Sequence, residues 1–253
     1  MSLCRFALRH AAVEALRGQT IVGDNVRNSD FAALDIAADG TLRDATDKPF
    51  ILVYTDDATV EGDGRPTLWN NGMVEIVIES GIAAAMAAYN EDMEGEFTAY
   101  GVPATDTGME AALDIIDRQI AREIHGDGEW AALFAHMHNG ITKVERKRAT
   151  LSDSGTRLAA RQIRMWVDAK VDPVWGMELA DTHYAMRFAA AVAGTEAEAT
   201  VATLLGPADE PLTYEHVRAR YGLSQQGARS MSIAKIYPGG EDVSEYRLTW
   251  VRD

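Results

Sequence analysis

Between residues 69 and 80, Val74, Ile76 and Ile78 alternate with Met73, Glu75, Val77 and Glu79. This period of two gives one wholly apolar face and predicts a half-buried strand. Residues 49–54, Pro-Phe-Ile-Leu-Val-Tyr, read as a second strand antiparallel to it, and the connection over 55–68 sets Asp56, Asp57, Glu61 and Asp63 against the single Arg65. So acidic a segment does not bury itself and is expected to project into solvent as an arm. Upstream, Leu3, Phe6, Ala7, Leu8, Ala11, Val13, Ala15 and Leu16 lie mostly at helical spacing, with Ser2 placed to cap the first turn and Gly18 just past the end. From 19 to 48 turn signals break the pattern, leaving short strands near 20–22 and 33–36.

Residues 83–86 extend the strand or start a short helix, and 90–105 read as a second acidic loop. Met109, Ala112, Leu113, Ile116, Ile120 and Ile124 then share one face of a long helix capped by Thr105 or Thr107. Trp130, Leu133, Phe134 and Met137 form a short helix closing at Asn139 and Gly140, and 141–151 and 156–171 form a hairpin. In its second strand Ile163, Met165, Val167, Ala169 and Val171 face one way, and Gln162, Arg164, Trp166, Asp168 and Lys170 the other. The order predicts an α+β fold: an antiparallel or mixed β-sheet with helices packed on one face. Punctuation at Pro173 and Gly176 divides a domain over 1–173 from a smaller α+β extension over 174–253, in which helices precede a hairpin within 230–251.

Composition narrows the function. The 253 residues suffice for a sizeable core, and 47% hydrophobic with 25% charged is the balance of a soluble globular chain. A formal charge of −15 disfavours a protein whose main task is gripping nucleic acid. Cys4, the only cysteine, allows no intramolecular disulfide and no cysteine zinc site, which fits a reducing compartment. The charged start is not a signal-peptide core, and no run is long enough to span a bilayer. His136 and His138 are two apart, so on one helix they do not chelate one ion from the same side. The pairs Glu75 with Glu79 and Asp114 with Asp117 read as solvent-facing charge. No P-loop, dinucleotide fingerprint, nucleophile elbow or zinc-protease motif occurs. The expectation is a non-enzymatic protein with no catalytic residue, cofactor or metal.

Two features point to contact with macromolecules. Lys143, Arg146, Lys147, Arg148, Arg157, Arg161 and Arg164 crowd the second hairpin, against Glu145, Asp153 and Asp168. They read either as a contact surface or as an ordinary solvated sheet face. Residues 212–229 are similar to a helix-turn-helix, with Gly222 at the turn and Gln225, Gln226 and Arg229 on the second helix, which makes a DNA-binding regulator the alternative function.

The first helix, the Pro-Phe-Ile-Leu-Val-Tyr strand, the acidic arm, the strand over 69–79, the helix pair over 105–139 and the hairpin over 141–171 together resemble the tail terminator proteins of long-tailed bacteriophages. The resemblance covers about the first 170 residues and rests on element order. Residues 173–253 have no counterpart in it. It implies a structural virion protein, assembled in the host cytoplasm, that forms a six-membered ring at the head-proximal end of the tail. Such a ring ends polymerisation of the tail tube protein and joins the tail to the head-tail connector, or stopper, protein. DNA is then met only as the passing genome, and no membrane is involved. Another connector or tail-completion protein is the neighbouring alternative. On this reading the subunit interface is expected at Asp56, Asp57, Glu61 and Asp63 of the arm, and at Arg146, Arg148, Arg161, Arg164 and Trp166 of the hairpin, acid of one copy facing base of the next.

Overall fold

The computed structural model describes residues 2–29, 49–60, 69–83, 87–89, 96–98, 106–153, 156–173, 178–206, 218 and 224. Their order is α1 (Leu3–Leu16), β1 (Val26–Asn28), β2 (Phe50–Thr59), β3 (Met73–Ala83), β4 (Ala87–Tyr89), β5 (Glu96–Thr98), α2 (Asp106–Ile124), α3 (Glu129–His136), β6 (His138–Asp153), β7 (Thr156–Ala169), α4 (Tyr184–Ala191) and α5 (Glu198–Leu205). Five strands make one sheet in the order β1-β2-β3-β7-β6, and β4 and β5 pair antiparallel as a second, small one. The large sheet is mixed: β1 runs parallel to β2, whereas only two residues join β6 to β7, a connection that allows antiparallel pairing alone. The fold is α+β.

The chain divides into two compact units, one of Ala7–Asp57 with Val74–Asp168, the other of Met1–Phe6, Ala58–Met73 and Ala169–Asp253. The core of the first gathers Leu8, Ala11 and Leu16 of α1, Ile51 and Val53 of β2, Val74, Ile76 and Ile78 of β3, Leu113 and Ile116 of α2, and Met165 and Val167 of β7, all buried. Each of the leucine, isoleucine, valine and methionine side chains among them contributes about 1.5–3 kcal/mol on leaving water. Alternation along β7 follows the sequence: Ile163, Met165, Val167 and Ala169 are buried while Gln162, Arg164, Trp166 and Asp168 are half-exposed. Val171, expected on the buried side, lies beyond the strand and is exposed. Gly81 lies so close to the buried Phe50 that a Cβ there would meet the ring at 2.4 Å.

In the second unit Asp172 caps the first turn of α1. Its carboxylate accepts from Leu3 N (3.1 Å), Cys4 N (2.9 Å), Ser2 Oγ (3.1 Å) and Asn71 Nδ2 (3.0 Å). Free N–H groups and the positive end of the helix dipole both favour a carboxylate there. Tyr184 Oη donates to Val171 O, and Phe6 packs edge-on against Phe188. These contacts tie the start of α1 to α4.

Several expectations are corrected. The strand expected over 69–80 starts at Met73, because Gly72 stands at φ +57 with Thr59 O only 2.4 Å from where a Cβ would be, a turn that extended backbone does not make. The strand is not half-buried. Val74, Glu75, Ile76, Val77 and Ile78 are all buried, as befits a strand between two neighbours in the middle of the sheet. The strand expected to stop at Tyr54 runs to Thr59, so Asp56 and Asp57 belong to a strand and not to a loop. Residues 20–24 form a turn, and the short strand falls at Val26–Asn28. The expected acidic loop over 90–105 contains β5. Residues 33–36, 61–68, 212–217, 219–223, 225–253 and Trp175 lie outside the described residues, so the projecting part of the arm, most of the helix-turn-helix stretch and the last hairpin do too.

Candidate subunit interface

β6 is an outer strand of the large sheet, and the side chains from Thr142 to Val144 and from Arg146 to Arg148 are all exposed. Lys143 Nζ stands 2.7 Å from Glu145 and 4.3 Å from the centre of the Trp166 ring, a cation over an aromatic face. Glu145 also lies 3.5 Å from Lys147 Nζ, and Lys143 first and Lys147 after it hold its carboxyl below the usual range. The acidic residue thus offsets part of the charge along this edge. Val144, 43% exposed, lies among these charges.

Arg161 takes another direction. It shares the parity of the buried Ile163 and Met165, so its side chain enters the layer where α2 lies. There it donates to Glu110 at 2.9 Å and to Asp117 at 3.2 Å, and it is also bonded to Asp114. Residues 110, 114 and 117 are spaced four and three apart, which aligns them along one stripe of the helix. Burial by itself disfavours the charged guanidinium, but its bonds to Asp114, Glu110 and Asp117 prevail and raise its pKa. Arg148 of β6 reaches the same Glu110 at 2.6 Å.

Residues of the opposite parity meet other strands. Arg164 donates to Glu75 at 3.0 Å and lies 3.9 Å from Asp56, and its Nε donates to Gln162. Gln162 Nε2 donates to Tyr54 Oη at 3.1 Å, and that hydroxyl lies 3.4 Å from Glu79. Glu75, only 3% exposed, is one of the few charged side chains that the sheet buries, and Arg164 partners it. Burial raises the pKa of Glu79 against the lowering effect of Tyr54 and Arg164, and burial with the Glu79 charge raises that of Tyr54.

The residues expected at an interface are therefore divided. Asp56, Asp57, Arg146 and Arg148 are exposed on strands, and Trp166 is half-exposed beneath Lys143. Arg161 and Arg164 hold carboxylates of their own chain, as Arg148 holds Glu110. Glu61 and Asp63 lie outside the described residues. Glu75 and Asp117, expected in solvent, are buried and half-buried. His136 and His138 do not share a helix: one ends α3, the other begins β6 against Phe134. Among the described residues no three His, Cys, Asp or Glu side chains form a metal-binding group, and no helix is long and apolar enough to cross a membrane. Sequence reading missed the chain Tyr54, Glu79, Gln162, Arg164 and Glu75. Its one signal was a glutamate inside an otherwise apolar run. Comparison with protein-family models and with curated proteins finds no match to the chain.

Proposed function

We propose that the chain is a structural subunit that assembles head to tail with copies of itself into a closed ring, in the manner of the tail terminator proteins it resembles. On this reading the ring is six-membered, stands at the head-proximal end of a phage tail tube, stops the tube from growing and offers its other side to the connector. The observation that supports it best is the charge distribution on the sheet: exposed Lys143, Arg146, Lys147 and Arg148 on β6, and exposed Asp56 and Asp57 on β2. A closed ring needs one surface that differs from, and complements, the surface it meets on the next copy. Opposite charge also steers copies into that register and disfavours like surfaces meeting.

Native mass spectrometry and negative-stain microscopy of the purified chain test the proposal. Six-membered rings are expected, and their binding to purified tail tubes would halt tube elongation. A monomer at all concentrations that neither binds tubes nor changes their length would overturn it. A salt-sensitive gel shift by that monomer would transfer the function to DNA recognition through residues 212–229.

A further inference from the structure

Among the described residues both borders of the large sheet leave main chain without a neighbouring strand. On one side β6, 16 residues long, has β7 as its neighbour and nothing beyond it among the described residues. On the other side β1 covers β2 only where Val26, Arg27 and Asn28 face Ile51, Leu52 and Val53. Ile51 N donates to Asn25 O and Ser29 N donates to Val53 O, so the odd-numbered residues of β2 turn their peptide groups toward β1. Thr55 and Asp57, two and four positions on, turn theirs the same way. Among the described residues no strand lies there.

We propose that copies join by strand addition: the outer border of β6 in one copy pairs, main chain to main chain, with residues 55–57 of β2 in the next. One sheet then runs on from copy to copy. This rests on the ring reading above and names its contact.

Three observations carry it. The two borders have opposite sign, Lys143, Arg146 and Lys147 against Asp56 and Asp57, in a chain whose net charge of −15 makes a basic border the exception. Two β6 strands meeting each other would set like charges opposite one another, which costs free energy, so charge rejects the symmetric pairing and leaves the head-to-tail one. β6 also lacks the shortness by which proteins guard a border: it runs 16 residues and holds Val144, 43% exposed, amid its charges. Lysine on the border does guard against indiscriminate pairing. A partner strand carrying aspartates is the one it admits.

The test uses the full chain. Equal amounts of unlabelled and 15N-labelled protein are mixed, assembled and coupled with a carbodiimide, which joins amines to carboxylates in contact. Mixed-isotope peptides linking Lys143 or Lys147 to Asp56 or Asp57 are expected, and the amides of residues 55–57 are expected to exchange more slowly in the assembly than in dilute monomer. Lys147→Glu or Asp57→Lys alone should raise the concentration for half-assembly roughly fivefold, and the two in one chain should restore it to within about twofold. Rings whose links between copies fall elsewhere, with unchanged exchange at 55–57, would overturn the contact and leave the ring standing. A chain that stays monomeric would overturn both, and β6 would then be a guarded border only.

Discussion

Arg161 neutralises three carboxylates of α2 from a position on the apolar side of a strand, and its loss would leave Glu110, Asp114 and Asp117 close together with Arg148, bound to Glu110, as the remaining direct ion-pair partner. Arg161→Leu, which keeps apolar bulk, is expected to cost about 2 kcal/mol in urea unfolding. Asp114→Asn, on an exposed member of the stripe, is expected to cost under about 1 kcal/mol. Glu79 behaves in the opposite sense. Burial raises its pKa in the folded state above the unfolded value, so the group does no harm when both states are protonated and opposes folding once pH rises through the folded pKa. Glu79→Gln should therefore stabilise the protein at pH 7 and make no difference below the ordinary carboxylate range, as paired denaturation curves at the two pH values would show. His10 has its pKa lowered, first by burial, and lies edge-on to Trp130. Its contribution is present above the ordinary histidine range and is lost as pH falls through the depressed value.

At the scale of elements, the bend between β2 and β3 depends on Gly72. Any side chain there combines a left-handed φ of +57 with a backbone oxygen at 2.4 Å, so Gly72→Ala is expected to cost about 2–4 kcal/mol in thermal or urea unfolding. Gly140, where an added Cβ would meet nothing within 4 Å, is the control that should tolerate alanine. The same bend shows what was legible in the residues. The hydrophobic period identified α1, α2 and the alternation along β7 because each has one face in the core and one in water. It misjudged β3, whose burial comes from neighbours on either side and not from its own pattern. It likewise ended β2 too early, since Asp56 and Asp57 are poor strand formers held in extended form by pairing across the sheet. Of the candidate interface, the basic content of the hairpin was visible, but not the division between Arg161, largely covered on β7, and Arg146, exposed on the outer strand β6. That difference follows from the place of each strand in the sheet, β7 between two neighbours and β6 at the border, which the pattern along one strand does not reveal.

For the whole molecule, Cys4 is a built-in reporter. It is buried beside Asp172, and burial first, with that negative charge next, pushes its thiol up to about 12. At neutral pH the native protein should be inert to a thiol-specific reagent and react only as it opens, so the labelling rate should follow unfolding. Asp172→Ala, which strips the cap from α1, should speed that labelling at least tenfold, in step with a loss of about 1.5–3 kcal/mol. If Cys4 labelled quickly in the native state, the capped first turn would have to be open.

The cap has a consequence for how the protein comes into being. Leu3 and Cys4 leave the ribosome well before the carboxylate that receives their amides, which lies 169 and 168 positions later. At roughly 5–20 residues per second, the leading turn waits on the order of ten to thirty seconds for its partner. Through that interval the first turn of α1 lacks its carboxylate, and a nascent polypeptide halted short of Asp172 would keep it in that state.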